Sequence, residues 1–266
     1  MVMAIQEENR GYKKLLFQQD GPVLKIIINI PEKRNALDME IRPELIEVLQ
    51  DLAFDSTVRV VILAGHGEHF CGGGDINSMK DVPDPVASRN RLKYGHRLVR
   101  AMVQLEKPII AQVDGAAAGS GVSLVLASDL AVAAERAKFH FSFARIGLAP
   151  DWGQYYFLPQ RVGMVRAKEL MLEGGVISAR RAEQIGMINR VVATEDLVKT
   201  TWDWAQKLAQ GPSQAYALIK SALNRWPMDL ESYLDLEASL QAVALGSDDF
   251  KEGRQAFLEK RKPNFR

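Results

Sequence analysis

The chain contains 266 residues, of which 47% are hydrophobic and 25% are charged, so it can bury a sizeable core as one large α/β domain or two smaller ones. These proportions exclude collagen-like, low-complexity and wholly disordered proteins. The 34 basic and 33 acidic residues give a net charge of +1, which is too small to attract a nucleic-acid phosphate backbone. The single cysteine cannot form a disulfide within the chain, and the four scattered histidines lack the spacing of metal ligands. We therefore predict no nucleic-acid partner and no metal.

The N-terminal segment carries acids before its basic pair and has only a short apolar run, unlike a signal or transit peptide. Nowhere do about 18 apolar residues follow one another without a charge, as a membrane-spanning helix requires. We therefore expect a cytoplasmic protein that has no membrane partner.

Strand and helix patterns alternate along the first part of the chain. Apolar, β-branched runs at residues 23–30 and 58–63 predict two strands, and a helical apolar pattern at 42–52 lies between them. A third strand is expected at residues 109–113. This order is typical of a mostly parallel sheet with crossover helices.

The pattern becomes helical from about residue 164 onward. Short strands are expected before that point at residues 130–133 and 138–141, and helices are expected at residues 122–128, 165–172, 179–185, 195–210, 214–224 and 230–245. We therefore predict a βα core over residues 1–195 and a helical C-terminal region over residues 196–266.

Two glycine-rich loops follow predicted strands. Three successive glycines in residues 70–76 leave consecutive backbone N–H groups unobstructed. Residues 115–121 lead from a strand into the start of a helix, where N–H groups lack an intrahelical partner and carry positive potential. Both loops suit a developing negative charge, and either one alone is also typical of an unliganded turn. Neither matches a nucleotide-binding motif.

A third loop, residues 146–153, places one carboxylate in apolar surroundings. Asp151 follows a proline and precedes a tryptophan, where a charged group is costly unless it is paired or functional. Burial would raise its pKa toward that of a useful general base. The alternative is that Asp151 caps a helix over residues 152–158.

Taken together, these segments resemble the crotonase superfamily, the enoyl-CoA hydratase/isomerase proteins. The resemblance spans nearly the whole chain and rests on NIPEKRNALD, FCGGGDI, KPIIAQVDGAAAGSGVSLVLASDL, IGLAPDWG and FKEGRQAFLEKRKPNF. It implies an α/β crotonase-like ββα superhelix, a spiral core with a helical C-terminal trimerisation region. It also implies an acyl-CoA substrate, no cofactor apart from the coenzyme A that the substrate carries, and a homotrimer or a dimer of trimers.

The resemblance also assigns site residues. Gly74 and Ser120 match the two positions whose backbone N–H groups hold the thioester enolate oxygen, the oxyanion hole of the family. The remaining positions expected at the substrate or coenzyme A are Ala36, Cys71, Gly72, Gly73, Asp75, Ile76, Gly119, Ser123, Phe143, Trp152 and Lys260. Lys260 belongs to the basic C-terminal tail, for which a solvated charge run is the alternative.

One departure from the family pattern bears on the reaction. The two catalytic glutamates of the hydratases fall at Ser123 and Phe143, and neither residue can act as a carboxylate base. Asp151 falls where epoxyphenylacetyl-CoA isomerases and chlorobenzoyl-CoA dehalogenases carry their acid. An isomerase needs only one base, so we predict Asp151 as the catalytic residue of a double-bond shift or of the opening or rearrangement of an unsaturated or aromatic-epoxide acyl-CoA.

Three alternatives stay open from the sequence. The first is enoyl-CoA hydration. The second is an aromatic acyl-CoA dehalogenase or hydrolase, in which Asp151 would be the nucleophile and His96 a possible base. The third is a non-catalytic member that binds acyl-CoA without turnover.

Overall fold

Two sheets frame the protein in the computed structural model, which describes residues 6–76 and 84–265. The larger sheet has the strand order β1-β2-β3-β4-β6-β9, and the smaller has the order β5-β7-β8. The strands are β1 Leu15–Asp20, β2 Val23–Ile28, β3 Val60–Gly65, β4 Ile109–Val113, β5 Ala116–Ala118, β6 Leu130–Ala134, β7 Lys138–His140, β8 Val176–Ser178 and β9 Arg190–Val192. Strands β1 and β2 pair antiparallel, and the following neighbours in the larger sheet pair parallel.

Helices connect the strands and then continue alone to the end of the chain. They are α1 Ile41–Leu52, α2 Pro85–Gln104, α3 Ser120–Ala127, α4 Gln154–Glu173, α5 Ala179–Gln184, α6 Leu197–Ala209, α7 Ser213–Leu223, α8 Leu230–Leu245 and α9 Asp248–Glu259. The described residues include no helix that is both long and apolar enough to cross a membrane.

Apolar side chains cover both faces of the larger sheet. On one face, Leu45 of α1, Leu98 of α2 and Leu124 of α3 pack into the main core. On the other face, Trp202 and Ala205 of α6 pack into a second cluster. Because a parallel strand in such a sheet is buried on both sides, its sequence is mostly apolar, and β2 was recognisable because five of its six residues are apolar.

Most predicted elements are confirmed, with shifted ends. The strand predicted at residues 23–30 ends at Ile28, and the one predicted at 58–63 occurs at Val60–Gly65. The strand at Ile109–Val113 and the helix at Leu230–Leu245 have the predicted bounds.

Two helix predictions need correction. The helix predicted at residues 165–172 is the second half of α4, which begins at Gln154 and is kinked where Gly163 leaves the helical conformation. The helix predicted at residues 195–210 starts as a 3-10 turn over Thr194–Asp196 and becomes α-helical at Leu197.

Six elements were missed: the three-residue strands β5, β8 and β9, the edge strand β1, and helices α2 and α9. Strand β1, LLFQQD, lies at the edge of the sheet and alternates buried and half-exposed residues over only part of its length. Helix α2 carries six basic or histidine side chains and buries only Gly95, Leu98 and Met102. Helix α9 buries only two of its residues, so its apolar stripe is narrow.

The topology brings both glycine-rich loops and the loop after β2 to one end of the larger sheet. The loops that follow β2, β3 and β4 leave from the carboxyl ends of neighbouring parallel strands. Loops at this end of a parallel sheet lie next to each other, so residues far apart in sequence can form one site.

Candidate active site

The two glycine-rich loops lie side by side. The Cys71 N–H donates to the Ala116 carbonyl at 3.0 Å, and the Ala118 N–H donates back to the Cys71 carbonyl at 2.9 Å. The loop after β3 therefore runs parallel to β5, and Gly74 lies on a segment adjacent to the turn that ends at Ser120.

Glycine is required at two positions in this contact. Gly73 has a φ of +95°, and a Cβ there would lie 2.7 Å from the Ala118 carbonyl oxygen. Gly119 has a φ of +51°, which side-chain-bearing residues rarely adopt. The glycines therefore let the two loops approach and turn.

Gly74 and Ser120 carry the N–H groups that the family resemblance assigns to the oxyanion. Ser120 is the first residue of α3, so its N–H has no intrahelical carbonyl to bind. Within residues 6–76 and 84–265, the N–H of Gly74 likewise donates to no other backbone group. Two amides without internal partners, one of them at a helix N-terminus, suit an anionic oxygen.

The loop after β2 supports the first glycine loop. The Gly72 N–H donates to the Arg34 carbonyl, and the Leu37 N–H donates to the Gly73 carbonyl, each at 2.7 Å. Between them lies Ala36, which is half-buried. The predicted positions Ala36, Gly72 and Gly73 therefore lie together.

The other predicted residues of that loop differ in exposure. The Asp75 carboxylate is paired with the Lys33 ammonium at 3.2 Å. The Ile76 side chain is 61% exposed, so it offers an apolar surface beside the loop. Cys71 is buried, and burial raises the pKa of its thiol to about 12, which makes it unreactive as a nucleophile.

Asp151 lies in a largely buried position near Arg42. Burial raises the pKa of the Asp151 carboxyl from 3.8 to about 6, and the positive charge of Arg42 opposes this rise. The carboxyl oxygen Oδ1 is buried and has no hydrogen-bond partner among the described residues. A carboxylate with these properties can accept a proton near neutral pH.

Asp151 is not the cap of the following helix. Helix α4 has Gly153 as its N-cap and no side chain bonded to the free N–H groups of its first turn. The capping alternative from the sequence is therefore wrong.

Trp152 fixes the loop that carries Asp151. Its φ of +51° is unfavourable for a residue with a side chain, and its indole is 2% exposed. Gly95 of α2 packs directly on that indole, since a Cβ at position 95 would lie 2.7 Å from three of its ring atoms. The Arg42 guanidinium lies 5.1 Å from the indole ring centroid on another side. Packing thus holds a strained backbone next to the predicted acid.

Ser123 and Phe143 lie around the same space. The fully buried Ser123 hydroxyl donates to the Asp151 carbonyl at 3.1 Å. Phe143 packs beside the oxyanion turn, because a side chain at position 119 would meet its ring at 3.5 Å. The structure therefore brings Gly119, Ser123, Phe143, Asp151 and Trp152 together.

Two residues of this region were missed from the sequence. Arg42 is 4% exposed although α1 is an amphipathic helix, on which arginine normally faces solvent. Gln154 is fully buried and donates to the Gly119 carbonyl and to the Ser123 hydroxyl. Neither residue type signals burial by itself, because the partners that allow burial come from other elements.

Two other candidates lie elsewhere in the single chain. Lys260 is exposed at the end of α9, and the residues after it return to the start of β3, where the Arg59 guanidinium donates to the Phe265 carbonyl at 3.1 Å. That is the opposite end of the sheet from the glycine loops.

The pKa of His96 on α2 is lowered by burial and by Arg100, with no contribution from Asp151. In the described ranges, no group of three or more His, Cys, Asp or Glu could hold a metal.

Comparison with known proteins identifies the family. The family model described as enoyl-CoA hydratase/isomerase matches residues 18–266. The chain belongs to this family. It is 38% identical to the 1,2-epoxyphenylacetyl-CoA isomerase of Escherichia coli (strain K12), with 94% of this chain and 97% of the relative covered. It is 33% identical to the short-chain-enoyl-CoA hydratase of Clostridium acetobutylicum, with 93% of this chain and 95% of the relative covered.

Solved structures of the family share the fold. A crystal structure of an enoyl-CoA hydratase/isomerase from Cupriavidus metallidurans CH34 matches with a TM-score of 0.91 at 35% identity, covering 96% of each chain. The crotonase fold with a helical C-terminal region, expected from the resemblance, is confirmed. The protein is thus an enzyme of the enoyl-CoA hydratase/isomerase family.

Proposed function

We propose that the protein is an acyl-CoA isomerase that forms a thioester enolate and moves one proton through Asp151. The observation that carries this proposal is the largely buried Asp151 carboxyl, whose pKa is raised to about 6 and whose Oδ1 has no hydrogen-bond partner among the described residues, on a loop bonded through Ser123 and Gln154 to the second glycine loop. Asp151 is the catalytic residue, and the amides of Gly74 and Ser120 are the oxyanion donors. Coenzyme A enters as part of the substrate, and no separate cofactor is involved.

The proposed reaction conserves protons. The Asp151 carboxylate removes a proton from a carbon conjugated with the thioester, and the electron pair of the broken C–H bond moves to the thioester oxygen. The N–H groups of Gly74 and Ser120 hold this oxygen, and one such donor is typically worth about 2.7–4 kcal/mol of barrier. The electrons then return to a different carbon, which takes the proton back from Asp151. The double bond has moved, and the enzyme is unchanged.

The residues near Asp151 favour isomerisation over hydration. Adding water requires one group that activates the water and one that delivers a proton. The resemblance places the hydratase glutamates at Ser123 and Phe143, and here a hydroxyl and a ring occupy those places, both buried. Similarity to the Escherichia coli 1,2-epoxyphenylacetyl-CoA isomerase supports the same choice and extends the substrate class to aromatic epoxide acyl groups. Hydration remains the alternative because of the similarity to the Clostridium acetobutylicum hydratase.

Proton exchange in deuterated water tests the proposal. The protein is incubated with a 3-enoyl-CoA, an epoxyphenylacetyl-CoA, a halobenzoyl-CoA and a 2-enoyl-CoA, and products and deuterium content are followed by mass spectrometry. We expect deuterium at the α or γ carbon together with a shifted double bond or an opened epoxide. Water addition without a double-bond shift would establish hydration instead, and halide release would establish dehalogenation. Binding without exchange would identify a non-catalytic member.

We also propose that the active protein is a homotrimer or a dimer of trimers. The single chain leaves apolar side chains of α8 in contact with solvent: Leu230 is 69% exposed, Leu234 47%, Val243 63% and Leu245 52%. Exposed apolar residues along one helix are typical of a subunit interface. In such an assembly Lys260 of one copy could approach coenzyme A bound to another.

A further inference from the structure

Gln154 occupies a fully buried position between the oxyanion turn and the Asp151 loop. It is the first residue of α4, and its side chain is 0% exposed. The amide nitrogen Nε2 donates to the Gly119 carbonyl at 2.8 Å and to the Ser123 hydroxyl at 3.1 Å. Because the Gly119 carbonyl can only accept a hydrogen bond, the NH₂ group of Gln154 must be the end that faces it.

The chain of hydrogen bonds continues from Ser123 to Asp151. The Ser123 hydroxyl accepts from Gln154 and donates to the Asp151 carbonyl at 3.1 Å. The backbone N–H of Gln154 donates to the same carbonyl at 3.2 Å. Gln154 is therefore connected to the Asp151 carbonyl by two routes, a direct hydrogen bond from its backbone N–H and a hydrogen bond to the Ser123 hydroxyl, which donates to the same carbonyl.

The hydrogen bonds of Gln154 and Ser123 connect the two groups that the proposed reaction requires, the oxyanion donor and the base. Gly119 directly precedes Ser120, whose N–H is one oxyanion donor. Asp151 is the proposed base. The separation between the enolate oxygen and the carbon that loses a proton is fixed by the substrate, so donor and base must be held at a matching separation.

We infer that Gln154 is a positioning residue, which sets the placement of the Ser120 N–H relative to Asp151 by bonding the Gly119 carbonyl and, through Ser123, the Asp151 carbonyl. This inference rests on the proposed function. Gln154 itself moves no proton, since an amide does not titrate in the range where enzymes work. Its other amide atom, Oε1, is buried and has no hydrogen-bond partner among the described residues, so the donor end carries the role.

The test compares Gln154→Met, Ser123→Ala and the double variant with a matched control. Methionine keeps the length of the glutamine side chain and removes its donors. The control is Gln160→Met, because Gln160 lies on the same helix, is exposed, and donates Nε2 only to the Tyr156 carbonyl one turn away. Deuterium exchange at the substrate carbon, kcat, KM and Tm are measured for each protein.

We expect Gln154→Met to lower kcat and the exchange rate about 10- to 100-fold with KM changed less than about threefold, because a misplaced group loses rate in the transition state rather than affinity. Since Gln154 and Ser123 belong to one series of hydrogen bonds, the fold reduction of kcat in the double variant should be smaller than the product of the two single reductions. Gln160→Met should match the unsubstituted enzyme.

Several results would overturn the inference. A purely structural role predicts a lower Tm for Gln154→Met with kcat per folded molecule unchanged. Independent roles predict that the single losses multiply in the double variant. If Gln154→Met does not fold, Ser123→Ala breaks the same chain with a smaller change, and normal turnover there counts against the inference equally. If the unsubstituted enzyme itself shows neither isomerised product nor exchange, the proposed function fails and this inference fails with it.

Discussion

Replacing Asp151 by asparagine should make the protein more stable at alkaline pH while nearly abolishing turnover. Asparagine keeps the size of the side chain and removes the charge. Burial raises the pKa of the Asp151 carboxyl from 3.8 to about 6, so the folded protein favours the protonated form. That favourable contribution is fully present below pH 3.8 and is lost as the pH rises through about 6, where the buried carboxylate ionises.

The size of the effect follows from the two pKa values. At about 1.36 kcal/mol per pH unit of pKa difference, Asp151→Asn should be more stable than the unsubstituted protein by about 3 kcal/mol at pH 8 and by about 1 kcal/mol at pH 4.5. Over the same change, kcat should fall by about 10²–10⁴-fold, the usual contribution of a general base. Substrate affinity should stay nearly the same.

Urea unfolding at the two pH values, with kcat measured at pH 8, checks both parts. Asp55→Asn is the control without pH dependence in this range: a hydrogen bond from Thr57 lowers the pKa of Asp55 below 3.8, so the stability that its carboxylate contributes is present at both pH values and its removal should cost the same at each. The reasoning is refuted if Asp151→Asn loses stability at pH 8, if its stability difference is independent of pH, or if it turns over at the normal rate.

The remaining predictions concern the surroundings of Asp151 and the assembly. Arg42→Met removes the positive charge that opposes the raised pKa of Asp151, so the apparent pKa on the acidic side of the plot of kcat/KM against pH should increase. An unchanged apparent pKa would show that the group titrating there is not Asp151. Gly73→Ala forces a Cβ against the neighbouring loop and should lower kcat at least about tenfold, with normal turnover contradicting the proposed oxyanion geometry. Val243→Glu should convert the proposed trimer or dimer of trimers into monomers in light scattering, and a monomeric unsubstituted protein at micromolar concentration would defeat that prediction.

Sequence alone was informative where one residue type decides the local structure. Mostly apolar runs identified β2 and β4, because strands buried on both faces favour apolar residues, although Lys25 and Gln112 are buried in them as well. The glycine loops were recognisable because a backbone that must approach another closely excludes side chains. The isolated acid of residues 146–153 was recognisable because carboxylates are rare in apolar segments.

Sequence was uninformative where burial depends on partners from distant segments. Arg42 and Gln154 are both more than 95% buried, yet each is of a type that normally faces solvent. The Gly119 carbonyl and the Ser123 hydroxyl accept the N–H groups of Gln154, and the Trp152 ring lies 5.1 Å from the Arg42 guanidinium. No spacing within one helix contains that information. For the same reason the basic helix α2, whose buried stripe is narrow, gave no apolar pattern strong enough to predict it.

Because Gly95 packs directly on Trp152, position 95 of helix α2 accepts no side chain, whereas the outward positions of the same helix can be substituted. Any side chain at residue 95 would displace the indole and, with it, the backbone that presents Asp151. Outward positions such as Arg89 and Lys93 are exposed. Laboratory evolution toward a new acyl group can therefore randomise the outer face of α2 freely, and every surviving variant should still carry glycine at position 95.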